Sequence, residues 1–234
     1  MKKALQQISK FHNEYDVQVF QKYLEGIQSM SGASRKFKQI ASSPNKEQVE
    51  DYLAEIRYAL VFAGIGFNIE IEPYGDKGPD LRVSFDSHKT VIEIMRFRKV
   101  YSGPSVLDLD DENLILPEYG NIPRDVRKSF EKISKKFQQV GSEDSIIAIW
   151  NDEEELDELE VGTAVRDLIN DANRNILNLP NGLQFVLYGS KWARAGDHRQ
   201  LHCFPCQKLL QPYLLLQQIL DASTVQQLTA KTLA

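Results

Sequence analysis

Residues 80–98 carry two runs of period two. Leu81, Val83 and Phe85 alternate with Asp80, Arg82 and Ser84, and Val91, Glu93, Met95 and Phe97 alternate with Ile92, Ile94, Arg96 and Arg98. Side chains two apart share one face of a strand, so both runs read as strands. The polar segment 86–89 between them is short enough for an antiparallel hairpin. Upstream, Val49, Tyr52, Leu53, Ile56, Ala59, Leu60 and Ala63 recur at helical spacing. Ser43-Pro44 reads as the start of that helix, with Ser43 as N-cap, and Gly64 and Gly66 mark its end. Phe67, Ile69 and Ile71 then alternate with Asn68, Glu70 and Glu72, which predicts a first strand stopping at Pro73-Tyr74-Gly75.

Residues 101–121 are irregular and acidic, a loop length that is often functional. Ile122, Val126, Phe130, Ile133, Phe137 and Val140 predict a second amphipathic helix, with Arg124, Lys128, Lys132 and Lys135 outside and Arg127 and Lys136 at the stripe's edges. Ser145-Ile146-Ile147-Ala148-Ile149-Trp150 is a continuous apolar run, as in a central strand buried on both faces. The acidic stretch 152–160 reads as a solvated loop or helix start. A helix over 161–177, a turn at Pro180-Asn181-Gly182 and a strand over 183–188 follow. The first 43 residues have helical composition with a break at Ser31-Gly32 and no evident chemistry; His12 reads as a surface or packing residue there. A Leu- and Gln-rich helical tail, 209–228, ends the chain and is a candidate interface with another subunit.

The chain has 234 residues, 42% of them hydrophobic and 26% charged, enough for a substantial core. No apolar run reaches the roughly 20 residues of a membrane-spanning helix, and Met1-Lys2-Lys3 leads into an amphipathic segment, so a cytoplasmic protein without a membrane partner is expected. The net charge of −5 argues against a generic polycation. Its distribution is uneven, however: residues 143–160 hold nine acids and no Lys or Arg, whereas 124–136 hold six bases against two acids. A basic face can meet phosphates while the total stays negative.

Asp80 follows Gly78-Pro79 at the entry of one strand and Glu93 lies in the middle of the next. An antiparallel hairpin brings them together. Two carboxylates at one site repel, and a divalent cation relieves the repulsion. The plainer alternative has Asp80 capping a turn and Glu93 facing water on an open sheet. Glu55 sits on the flank of the first helix's stripe, bordering the buried face with its carboxylate available.

The order helix, three strands, helix, strand, with Glu55 on the first helix, Pro79-Asp80 at the second strand and Glu93 in the third, twelve residues lying between the two acids, resembles the PD-(D/E)XK superfamily of restriction-endonuclease-like nucleases. The resemblance covers residues 44–150 and continues to 188. It implies an α/β fold, a three-layer sandwich with a central mixed sheet flanked by helices. The domain would span 44–206, with a helical extension at 1–43 and a helical tail at 207–234. It further implies that Asp80 and Glu93 bind Mg²⁺ or Mn²⁺, that Glu55 assists, and that the chain hydrolyses DNA. The chain departs from the family at Met95, where the pattern calls for a lysine, and a thioether supplies no charge. Arg96 and Arg98 point to the opposite face by alternation. Lys136, Arg127 or Lys132 on the second helix are the candidates for a relocated base, with Lys77 and Arg82 behind them. Arg124, Arg127, Lys128 and Lys132 are candidate DNA contacts.

Two other readings stay open. One is a catalytically degenerate nuclease-fold module that binds DNA or a protein partner, and the other an α/β protein of unrelated function. His198, His202, Cys203 and Cys206 are zinc-competent side chains whose compact spacing fits poorly with structural zinc sites. Lys191, Trp192, Arg194 and Arg199 place bases beside an aromatic ring. No Walker loop and no Gly-x-Ser-x-Gly elbow occur.

Overall fold

A computed structural model describes residues 1–75, 78–85, 88–97, 122–141, 143–152, 156, 158–190 and 201–233, with 122–125 as backbone only. The alternating runs become β1 (Asn68–Ile71), β2 (Leu81–Phe85) and β3 (His88–Phe97), and the later apolar runs become β4 (Ser145–Asn151) and β5 (Leu183–Ser190). With β6 (Leu201–Pro205) they form, among the described residues, an open six-stranded sheet in chain order. The expected hairpin is present, with Leu81 opposite Ile92 and Phe85 opposite His88 in antiparallel register. β1 pairs antiparallel with β2, β3 to β5 run parallel, and β6 returns antiparallel, so the sheet is mixed. Every residue of β4 and β5 is buried, because helices cover both faces.

On one face Ile92, Ile94, Ile146, Ala148, Phe185 and Leu187 pack with α4 (Lys46–Ile65) and α8 (Gln211–Asp221). On the other, Met95, Phe97, Ile147, Ile149 and Val186 pack with α5 (Ile122–Lys135), α6 (Phe137–Val140) and α7 (Glu158–Asn173). The helices α1 (Lys2–Ile8), α2 (Glu14–Ile27) and α3 (Ala33–Ser42) share the α4 core through Ile8, Leu24, Ile27 and Ile40. The C-terminal α9 (Val225–Leu233) lies against α4 as well, burying Val225 and Leu228 and donating from Thr232 Oγ1 to Leu60 O at 3.0 Å. α4 is therefore covered nearly all round, which is why it buries Ala54, Tyr58, Val61 and Phe62 besides the predicted stripe.

Several boundaries differ from the sequence expectation. The N-cap of α4 is Asn45, not Ser43: Asn45 Oδ1 accepts from Gln48 N–H at 2.9 Å, while Ser43 is extended, as the residue before a proline prefers. The helix expected over 161–177 runs from Glu158 to Asn173, its acids meeting the N-terminal dipole and Asn175 taking a left-handed φ of 56° after its end. The basic amphipathic helix is two helices, α5 and α6, with Lys136 in the turn between them; its N–H bonds back to Ile133 O at 3.0 Å, an i to i−3 bond that tightens the turn. The loop read at 101–121 lies outside the described residues. Among those described, no helix is long and apolar enough to cross a membrane.

Two glycines fix the helical additions in place. Gly32, with φ of 86°, lets α3 begin against β1, where a Cβ would lie 2.0 Å from Ile71 O. At Gly64 a Cβ would lie 1.9 Å from Leu228 O, so the α4–α9 contact requires glycine. Gly64→Ala is expected to displace α9 and destabilise the fold by about 1–3 kcal/mol. A lower urea midpoint with faster proteolysis in 222–233 would show it, and an unchanged midpoint would mean that α9 contributes little.

Candidate functional site: a buried carboxylate cluster

Asp80 immediately precedes β2, and its Oδ2 accepts the Ile94 N–H at 2.7 Å. The register that pairs Leu81 with Ile92 therefore carries Asp80 to β3 beside Glu93. Glu93 is 2% exposed and shares a face with Met95 and Phe97, the side covered by α5 and α6. From the turn between those helices Lys136 Nζ reaches Glu93 Oε1 at 2.5 Å. Glu93 Oε2 is buried and has no hydrogen-bond partner.

Glu55 on α4 is buried and accepts from Lys36 Nζ. The same ammonium donates to Glu72 Oε1 at 2.5 Å and lies 4.6 Å from the Tyr52 ring centroid. Glu72 directly follows β1, with a left-handed φ of 51°. Its N–H donates to Asp80 O at 2.7 Å, and its carbonyl accepts from Arg35 Nη1 at 3.1 Å.

Burial pushes Glu55 up to about 8, the Asp80 carboxylate adds to the rise, and Lys36 opposes it. Asp80 is raised by burial and then by Glu93, against the Ile94 N–H and the two lysines. Glu93 is raised by burial, against Lys136. Lys36 would be depressed by burial, but Glu55 and Glu72 raise it on balance, so it stays an ammonium. The result is a set of hard oxygen donors with less cationic charge than it can use.

Glu55, Asp80, Glu93 and Lys136, the candidate catalytic residues, are thus linked: Glu93 bonds Lys136, and the field of Asp80 acts on Glu55 as that of Glu93 acts on Asp80. Glu55 is held by a lysine rather than free on the helix flank, a correction to the sequence reading. The other candidate bases have different partners. Arg82 pairs across the sheet with Glu70 at 2.7 Å, exposed Arg127 pairs with Glu131 on its own helix at 3.0 Å, and Lys132 Nζ lies 4.3 Å from the Phe97 ring centroid. Arg96 points to the opposite face as alternation requires, into Glu47, Asp51 and Asp152. The Arg124 side chain, Lys77 and Arg98 lie outside the described residues. Cys203 and Cys206 enter cores on opposite faces of the sheet, and burial pushes both thiols up, Cys206 to about 12. They do not form a shared thiolate pair, and His198, Lys191, Trp192, Arg194 and Arg199 lie outside the described residues. Among the described residues no group of three or more His, Cys, Asp or Glu side chains is arranged to hold a metal ion.

Lys36 and Glu72 escaped the sequence reading. Lys36 carries a signal in retrospect: it falls three residues after Ala33 and four before Ile40, inside the buried stripe of α3. Glu72 gives none: alternation places it on the polar side of the first strand, whereas the strand ends at Ile71 and Glu72 takes a left-handed φ of 51°. Compared with known protein families, curated proteins and solved structures, the chain matches none.

The pH dependence of stability follows from Glu55. Its folded-state value, about 8, exceeds the ordinary 4.5, so between these values the folded protein holds a proton that the unfolded chain releases. This contribution is full below the ordinary value and is lost as pH rises through the folded one. Without divalent metal, Glu55→Gln is expected to flatten the pH dependence of Tm between about pH 5 and about pH 8 by removing a downward component. Superimposable wild-type and variant profiles would contradict it.

Proposed function

We propose that the chain is a divalent-metal-dependent deoxyribonuclease of the restriction-endonuclease-like kind, with Asp80 and Glu93 as ligands for Mg²⁺ or Mn²⁺. Lys136 takes the role of the lysine missing at position 95. One observation carries the reading: an ammonium from a different element stands 2.5 Å from the acid of the third strand. The mixed sheet with helices on both faces agrees with the three-layer arrangement of that fold.

The donor set fits a hard cation. Both ligands are carboxylates, and Glu93 Oε2 is buried without a hydrogen-bond partner. Two carboxylates suit Mg²⁺, which keeps several of its waters. When bound, such a cation supplies a polarised water and offsets the charge developing on a phosphate. The chain's own groups do the rest. The Ile94 N–H fixes the Asp80 carboxylate. Lys136, with its side chain 26% exposed, can donate to a water or phosphate oxygen beside Glu93 while remaining paired to it. Glu55 acts on the site through its field and through water. In the hydrolysis the water oxygen bonds to phosphorus and gives up a proton to solvent, one ester P–O bond breaks and the leaving oxygen takes up a proton from solvent.

DNA is the proposed substrate because α5, whose end supplies Lys136, also carries Arg124, Arg127, Lys128 and Lys132. Phosphates held along this helix would lie on the element that completes the site. A binding-only module is less well supported, since its mark would be acids without a replacement base. Self-association, if it involves the tail, would use Leu210, Leu214 and Leu215, which are exposed at α8, because the apolar side of α9 is taken by α4.

Cleavage of supercoiled plasmid and single-stranded DNA with Mn²⁺ or Mg²⁺ tests the reading. Wild type is expected to cut, Asp80→Asn to be inactive, and Lys136→Met to lose at least about 100-fold in turnover while binding Mn²⁺. Adding Met95→Lys to Lys136→Met restores part of that loss if the base has migrated from strand to helix. A wild type without metal-dependent cleavage sinks the nuclease assignment. For binding, replacing Arg127 and Lys128 by Ala is expected to reduce the salt slope of DNA affinity by about 0.9 for each phosphate left without its basic side chain.

A further inference from the structure

Lys36 is 1% exposed, and its ammonium sits between two carboxylates from separate parts of the chain, Glu55 of α4 and Glu72 after β1. A lysine whose only task is solubility keeps its head in water. One whose only task is stability is a poor choice, because apolar side chains of similar volume often serve a buried stripe as well or better than an ion pair. The position is nevertheless heavily anchored. Gly32 admits α3 to the end of β1, Ile71 N–H donates to Ser31 O at 2.8 Å, and Arg35 Nη1 donates to Glu72 O at 3.1 Å. Lys36 thus enters the cluster from a helix that is itself tied to the sheet. Its influence continues past its two partners, since the Glu72 N–H holds the Asp80 carbonyl at 2.7 Å.

We propose, on the basis of the nuclease reading above, that Lys36 is a positioning residue of the site. It engages Glu55 and Glu72 so that Asp80 and Glu93 are the carboxylates left to the cation. Buried as it is, Lys36 does not touch substrate and acts through these neighbours. Lys136 differs, being paired with Glu93 and partly exposed. The N-terminal 43 residues are then part of the site, and a chain truncated to begin at α4 would lack that part.

The test compares wild type with Lys36→Met and with Lys36→Met/Glu72→Gln in the full chain. The double variant removes one charge of each sign, so the net charge of the cluster is unchanged and folding is protected if the single variant fails. Folding is followed by circular dichroism, Mn²⁺ affinity by the electron paramagnetic resonance signal of the free ion, and turnover on supercoiled plasmid with Mn²⁺. The expected result is a folded double variant that binds DNA with an unchanged KM and loses about 100-fold in kcat, as for a misplaced reacting group. A folded variant that turns over within about threefold of wild type overturns the proposal. If neither variant folds, Lys36 serves stability alone and the proposal also falls. A wild type that neither binds Mn²⁺ nor cuts is a separate result, recognisable without any variant, and removes the nuclease reading together with this one.

Discussion

Glu55, Glu72, Asp80 and Glu93 come from four stretches of the chain and meet in one poorly solvated neighbourhood, where ionising one makes ionising another harder. Two like charges about 5 Å apart repel by about 3 kcal/mol at an effective dielectric near 20. Carboxylates that act on one another in this way require protons, ammonium groups or another cation. Lys36 and Lys136 supply two charges inside the cluster, and the half-exposed Arg35 approaches Glu72 Oε2 only to 3.8 Å. The lysines are unevenly shared: Lys36 holds two acids, Lys136 holds one oxygen of Glu93, and the other oxygen of Glu93 stays unsatisfied. A buried acceptor left in that condition costs free energy in the folded state, and a cation would recover it.

The fold meets this constraint by register and by close approach. Pairing Leu81 with Ile92 brings the Asp80 carboxylate to the Ile94 N–H, and a slip of one residue would turn Glu93 to the α4 face. Parallel pairing of β3 with β4 surrounds Glu93 with strand, so that its carboxylate must be met from the helical layer. On the other side Gly32 and Gly64 allow helix and sheet backbones to come closer than any side chain permits. α3 thereby packs against the end of β1 and α9 against α4, and Lys36 of α3 reaches Glu55.

Period-two patterning makes the hairpin legible, because a face slip there would expose a whole row of apolar side chains, and the fourth strand is legible as an unbroken apolar run that needs cover on both faces. Helical spacing likewise identified α4 and the basic helix. The acids were legible from a resemblance of motif and order, and Lys136 emerged as a candidate because Met95 made a base necessary somewhere else. Lys36 was not legible in the same way. Its charge stands in a segment whose composition marks only a helical addition, although its place between Ala33 and Ile40 puts it on the buried side. Glu72 belongs to a backbone conformation outside strand and helix, and there no periodicity says where a side chain points.

Under the nuclease reading, methionine rather than lysine at position 95 has a packing consequence. Met95 shares a face with Phe97, Ile147 and Ile149, a closed apolar layer in which desolvating an ammonium costs free energy that only its contact with Glu93 offsets. At the α5–α6 turn the same charge keeps a partial route to solvent and reaches Glu93 from outside the layer. The arrangement couples two properties that a strand lysine would keep separate. A base fixed in a sheet is present whatever the helices do, whereas Lys136 is brought to Glu93 by the seating of α5 and α6 on the sheet through Ile133 and Phe137. Under the nuclease reading, phosphates drawn to the basic side of α5 would favour that seated state by the difference in their affinity for it. Site completion and substrate contact would then depend on one helix, and the tolerance of Met95 would follow from that dependence.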